Sequence, residues 1–212
     1  MSAILDAALN FIGRKWPVFR VSGYKMPLKG THGFKDATID HAVIWRWFVD
    51  ETPWAQLALA TGDIVVFDAD GSEGLAELQA LAAPFGGLPA TLQVRTAGGL
   101  HFYYLPPPGI DVPGSNGKRA KRGDPGLDIK SHGGYVVLPP SINRKKNFTY
   151  HFVEPQLPIA VMPDWLVEIA RQRRGARSAA AKPQQARLVF PPMPQHLANR
   201  SASTWTSKEQ KR

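Results

Sequence analysis

Apolar positions along the 212-residue chain change their period repeatedly, and each change marks an element. In residues 3–13, Ile4, Ala7, Ala8, Phe11 and Ile12 recur at helical spacing and predict an amphipathic helix. "WPVFRV" (16–21) predicts a short strand, and the Gly- and Lys-rich "GYKMPLKGTHGFKDAT" after it predicts a loop. Helical spacing returns over 38–51 through Ile39, Val43, Trp47 and Phe48, with Thr38 as N-cap. "WAQLALAT" (54–61) and "DIVVFDAD" (63–70) predict two strands forming a hairpin at Gly62. Residues 72–86 predict a helix opened by Ser72 and Glu73 and stopped at Pro84.

A second hairpin is predicted from "TLQVRTA" (91–97) and "LHFYYL" (100–105) around Gly98-Gly99. Residues 106–125, rich in Pro, Gly and charge, predict a long loop. "GLDIK" (126–130) and "GYVVLPP" (134–140) predict a third strand pair around His132-Gly133. "NFTYHFV" (147–153) alternates as the last strand, and "PDWLVEIARQRR" (163–174) closes the pattern as a helix. There is no internal repeat. Strands in hairpins with helices between them predict an α+β fold with a mainly antiparallel sheet.

One strand ends in chemistry. In "IVVFDADG" the apolar run meets Asp68 and Asp70, and strand alternation puts both carboxylates on one face. Two ionised acids this close repel, and a divalent, oxygen-seeking ion such as Mg²⁺ or Mn²⁺ is the natural offset. An isolated D-x-D is as well explained by a turn and a helix cap. Asp128 in "GLDIK" supplies a third acid, and three acids from two strands suit a pair of metals in phosphoryl or nucleotidyl transfer. Between them lies "RTAGGLHFYY". Gly98 and Gly99 permit close approach of a ligand to backbone N–H groups, and His101 is placed to donate to a phosphate. A lone GGxH also fits a tight hairpin turn with a half-buried histidine. Lys25, Arg95 and Lys130 are the candidate counter-charges for a triphosphate, Lys130 sharing a face with Asp128.

Composition narrows the classes. Hydrophobic content is 43% and charged content 20%, as in ordinary globular domains. No apolar run is long enough for a membrane span and no N-terminal signal pattern appears, so a cytoplasmic protein without membrane contact is expected. The absence of cysteine removes disulfides, thiolate nucleophiles and cysteine-ligated zinc, so no zinc is expected. Charge is segregated. Residues 1–170 carry 16 basic and 16 acidic residues, whereas 171–212 carry 10 basic residues and one acid, Glu209. The expected organisation is a domain over 1–170 followed by a flexible basic tail over 171–212, which serves as a linker or holds nucleic acid by phosphate neutralisation.

The ordered set is more specific than its parts. D-x-D on a strand, T-x-G-G-x-H, then G-x-D-I-K followed by "GGYVVLPPS" resembles the bifunctional primase/polymerase (prim-pol) domain of the archaeo-eukaryotic primase superfamily, over roughly residues 8–168. The segments "WPVFRVSGYKMPLKGTHGFKDAT" and "WAQLALATGDIVVFDADG" are similar to that family's opening. The resemblance implies an RRM-like sheet joined to an αβ module. It implies a template-directed nucleotidyltransferase acting on single-stranded DNA with dNTP or NTP, in replication of a plasmid, phage or bacterial element. Asp68, Asp70 and Asp128 would be the catalytic acids and ligands of two Mg²⁺ or Mn²⁺ ions, and His101 would contact the nucleotide's phosphates. Lys25, Lys130 and Ser141 fall where relatives place basic and hydroxyl groups near the nucleotide. Two departures are plain: the cysteine-based zinc insert of some relatives is impossible here, "KRAKR" (118–122) standing in the long loop as a template-phosphate contact, and no ATPase P-loop is present. Many relatives fuse the domain to a helicase, so a replicative helicase would be a partner in trans or on a further C-terminal region.

Three rivals stay open. A catalytically idle RRM-like module would grip single-stranded nucleic acid through Phe102, Tyr103 and Tyr104. A D-x-D glycosyltransferase leaves T-x-G-G-x-H and Asp128 unexplained. A metal nuclease explains the acids but not a triphosphate site.

Overall fold

The computed structural model of the chain describes residues 2–115 and 126–179. Helices combine with two main sheets in an α+β fold whose strand pairs are antiparallel except one. The smaller sheet has the order β1 (Val18–Val21), β2 (Gln56–Ala60), β7 (Tyr135–Val137). The larger has β6 (Leu127–Lys130) at one edge, then β3 (Val65–Asp70), β5 (Gly99–Leu105), β4 (Gln93–Arg95) and β10 (His151–Phe152). β11 (Ala160–Val161), which has no alternation long enough to read from sequence, pairs parallel with the far end of β5. β8 (Ile142–Asn143) and β9 (Phe148–Thr149) form a separate two-stranded ribbon.

The larger sheet divides two cores, and strand alternation does the sorting. Val66, Val94 and Tyr103 face a core shared with the small sheet and with α1 (Ala3–Gly13), through Leu5, Phe11, Leu57 and Val136. Val65, Phe67, Ala69, Leu100, Phe102, Leu127 and Ile129 face the other core, closed by Leu78 of α3 (Gly71–Ala82) and Leu166 and Ile169 of α4 (Asp164–Ala179). Asp68 and Asp70 continue the face of Val66 by alternation.

Of the three predicted strand pairs, only β4–β5 forms. The strands flanking Gly62 part company, β2 entering the small sheet and β3 the large one; β6 and β7 separate likewise. Both crossings are tied at Thr61. Its N–H donates to the Gly134 carbonyl at 3.1 Å, and its hydroxyl to the Ser131 carbonyl at 2.7 Å. Period-2 patterning shows that a segment is extended but not which sheet receives it.

The predicted helix over 38–51 is shorter and differently capped. Thr38 is extended, exchanging backbone bonds with Val18, and the cap is Asp40, whose carboxylate accepts from Ala42 and Val43 N–H. α2 (His41–Trp45) then widens into a π-helical turn, Arg46–Glu51, burying Trp47 and Phe48. The predicted strand 147–153 is divided, because Phe148–Thr149 pairs with β8 whereas His151–Phe152 joins β4.

α4 runs past residue 170, and its continuation does structural work. Arg173 pairs with Glu77 of α3 and donates to the Leu127 carbonyl at 2.7 Å, next to Asp128. Removing it leaves a half-buried carboxylate and a strand carbonyl without their cation. A chain ended at residue 170 is expected to be about 2 kcal/mol less stable than one ended at 179. Urea midpoints of the two chains test this, and coincident midpoints refute the role of Arg173. The "KRAKR" segment and residues 180–212 of the basic stretch lie outside the described residues. Among the described residues no helix is long and apolar enough to cross a membrane.

Candidate active site

Register brings the sequence motifs together. Asp68 at the end of β3 stands directly opposite His101 of β5 on one side and Asp128 of β6 on the other. Side chains directly opposite in neighbouring strands share a face, so Asp128, Asp68 and His101 form one row across the sheet. Asp70 lies two residues on, at the N-cap of α3, yet its side chain makes no cap bond. Lys130 lies two residues beyond Asp128 and donates to its Oδ2 at 3.1 Å.

The row opens into a cavity of about 490 Å³ lined by Asp68, His101, Lys130 and Lys25, with Tyr24, Met26, Tyr135 and Tyr150 among its walls. The Asp68 side chain is 17% exposed, and His101 Nε2 lies 3.4 Å from its Oδ1. Burial acts to raise the carboxyl's pKa, but His101 together with the Lys130 and Lys25 ammonium groups outweighs it and holds Asp68 below the ordinary carboxylate value. Burial pushes the Tyr150 phenol up to about 12, a hydrogen bond with Asn143 opposing the shift and the charges of Asp68 and Asp70 adding to it. Tyr150 therefore stays neutral and able to donate at physiological pH.

Lys25 reaches this cavity on a strap between β1 and the rest of the small sheet. The strap is closed by Ser22, whose N–H donates to the Met26 carbonyl at 2.8 Å and whose hydroxyl accepts from Tyr24 and Met26 N–H. Tyr135 of β7 donates its phenol to the Lys25 carbonyl at 3.0 Å. Lys25 has φ of 67°, a left-handed conformation that a lysine adopts only when its surroundings impose it.

Other expected residues are placed differently. The Gly98 and Gly99 N–H groups both donate to the Thr96 hydroxyl, at 3.1 and 2.8 Å. The glycines serve close packing instead: a Cβ at Gly99 would overlap the Ala69 carbonyl oxygen of β3, and one at Gly98 would lie 2.9 Å from Asp70 Oδ1. Arg95 pairs with Leu100 and so belongs to the opposite face from His101. Ser141 is fully buried, its hydroxyl donating to the Leu57 carbonyl and accepting from Leu57 N–H, which fastens β2 and leaves nothing for a nucleotide. His101 is 5% exposed, with Nε2 on Asp68 and Nδ1 buried without a partner, so its first role is toward Asp68. Tyr135 and Tyr150 were not among the sequence candidates, since both sit in stretches that read simply as strand.

The donor set suits a hard divalent cation: three carboxylates on one face of two adjacent strands. As placed, no three His, Asp or Glu side chains among the described residues form a group that could hold one. Asp68 lies against His101 and Asp128 against Lys130. Nor do the β5 aromatics offer a stacking platform, because Phe102, Tyr103 and Tyr104 are all buried in the two cores.

A comparison with curated proteins gives no match. A family model, "bifunctional DNA primase/polymerase, N-terminal", matches residues 8–165, a span that contains the acidic row, the cavity and the strap. The chain belongs to the bifunctional DNA primase/polymerase family.

Proposed function

We propose that the chain is a template-directed nucleotidyltransferase that joins nucleotides on single-stranded DNA, with Asp68, Asp70 and Asp128 holding Mg²⁺ or Mn²⁺. Family membership supports a primase/polymerase activity and nucleotide and DNA substrates. The observation that carries the site assignment is the in-register row Asp128–Asp68–His101 at the lip of a cavity with two lysines. Two divalent ions bound by the acids would supply Lewis-acid polarisation of the attacking 3′-hydroxyl and the departing pyrophosphate.

The chain's own residues do the rest. Lys25 and Lys130 offset triphosphate charge from two sides of the cavity. His101 orients the Asp68 carboxylate. Tyr135 and Tyr150 wall the space beside it with neutral rings, which suits a sugar or base without selecting one. Template choice then falls to base pairing. The idle-module rival loses its stacking residues to the cores. The deciding measurement is incorporation of labelled dNTPs and NTPs on unprimed and primed single-stranded templates in Mg²⁺ or Mn²⁺. Absence of product under every condition would refute the proposal.

A further inference from the structure

Outside the cavity, a second surface has the composition of a nucleic-acid contact. The turn between β8 and β9 presents Arg144, Lys145 and Lys146 in succession, all exposed. Among the described residues none of the three makes an ion pair. The turn is built to hold them: buried Asn143 accepts the Lys146 N–H through both its carbonyl and its side chain, and Asn147 takes the left-handed conformation that closes the loop. Ile142 N–H donates to the Gln56 side chain at 2.6 Å, which fixes the ribbon to β2.

This turn joins the strap to the acidic end of the sheet. At one end Arg144 N–H donates to the Gly23 carbonyl at 2.8 Å, and the Arg144 side chain fills the space where a Cβ at Gly23 would stand. Next to Gly23, Tyr24 is 63% exposed. At the other end Lys146 Nζ lies 3.4 Å from the Ala97 carbonyl, beside Gly98, which itself abuts the Asp70 carboxylate. Three cations outside the cavity thus run from Tyr24, an exposed ring on the cavity wall, toward the Asp70 carboxylate.

We infer that the Arg144–Lys146 turn and Tyr24 form a docking surface for one strand of nucleic acid, the turn taking consecutive phosphates and Tyr24 stacking on a base. The inference rests on the nucleotidyltransferase reading only for why a strand should end near Asp70; the binding it predicts needs neither metal nor nucleotide. A single strand is the partner because a duplex keeps its base faces stacked inside, where an exposed phenol ring has nothing to cover.

The test is the salt dependence of binding of a labelled single-stranded oligonucleotide to the full chain, in EDTA and without nucleotide. Each phosphate neutralised on a single strand contributes about 0.7 to the slope of log K against log salt. Arg144→Gln with Lys145→Gln and Lys146→Gln is expected to lower that slope by about 2. The same number of charges removed elsewhere, in the turn after α1 and on α4, by Arg14→Gln, Lys15→Gln and Arg171→Gln, is expected to leave it nearly unchanged. The tail and the "KRAKR" segment are present throughout, so the difference reports the turn. Tyr24→Ala is expected to weaken single-strand binding about five- to 150-fold with the slope intact, and to leave duplex binding unaltered.

Equal slopes for the two triple variants, or an unchanged affinity for Tyr24→Ala, overturn the inference. Asp68→Asn with Asp70→Asn should keep this binding. Loss of incorporation therefore tests the catalytic reading separately from the docking surface.

Discussion

Asp68→Ala with Asp70→Ala is expected to lower nucleotide incorporation by at least about 10³-fold, because metal stabilisation of charge in such transfers amounts to several kcal/mol. The expectation follows from where the two carboxylates stand. They continue the face that Val66 buries in the core, so the strand delivers them past the edge of the apolar packing, Asp68 into the cavity that Lys25 and Lys130 line and Asp70 two residues beyond it. Neither carboxylate caps a helix. Asp70 forgoes the cap of α3, and the partner of Asp68 is an imidazole that itself lines the cavity. Urea midpoints of the double variant should therefore stay close to the parent's while incorporation disappears. Asp68 makes the sharper case alone: Asp68→Asn keeps the shape beside His101 but removes the charge that the surrounding cations hold ionised. A double variant that folds normally and incorporates at the parental rate would remove these acids from the mechanism.

What could be read from sequence was the part governed by strand alternation and order. Asp68 and Asp70 share a face because the side-chain period of a strand is two, which needs no knowledge of the partner strand; Asp128 joins that face only through the β3–β6 register. The local β4–β5 hairpin, marked by the Gly98-Gly99 turn, was legible, but His101 meets Asp68 through the β3–β5 register, which is not local. The failures came where the chain leaves one sheet for the other. Gly62 and His132-Gly133 look like hairpin turns, and both are crossings, tied together through Thr61 across some seventy positions of sequence. Ser141 was placed by motif near the nucleotide, whereas its hydroxyl is spent on Leu57, a contact that no spacing rule could show. Tyr150 and Tyr135 were invisible for the opposite reason. An aromatic residue in an alternating stretch looks like core until the cavity beside it is known.

The double glycine separates packing from catalysis, and its two members should respond differently to the same methyl group. At Gly99 the added Cβ meets the backbone carbonyl of Ala69, on the strand in the middle of the sheet, which cannot move aside alone. Gly99→Ala must pry β5 from β3 at the pair Asp70–Gly99, two pairs from Asp68–His101. A loss of about 3 kcal/mol is expected, at the upper end of overpacking costs because the obstacle is main chain. At Gly98 the nearest atom is Asp70 Oδ1, a side-chain atom rather than main chain, so the backbone can stay where it is and the carboxylate must turn. Gly98→Ala should thus fold with an unchanged urea midpoint and lose about 10- to 100-fold in incorporation, the scale of misplacing a reacting group by about an ångström. The Thr96 hydroxyl holds both glycine N–H groups in either case, so neither effect can be assigned to a lost phosphate contact at the turn. If Gly98→Ala were destabilised yet fully active, Asp70 would be a packing residue and the catalytic acids would be Asp68 and Asp128 alone.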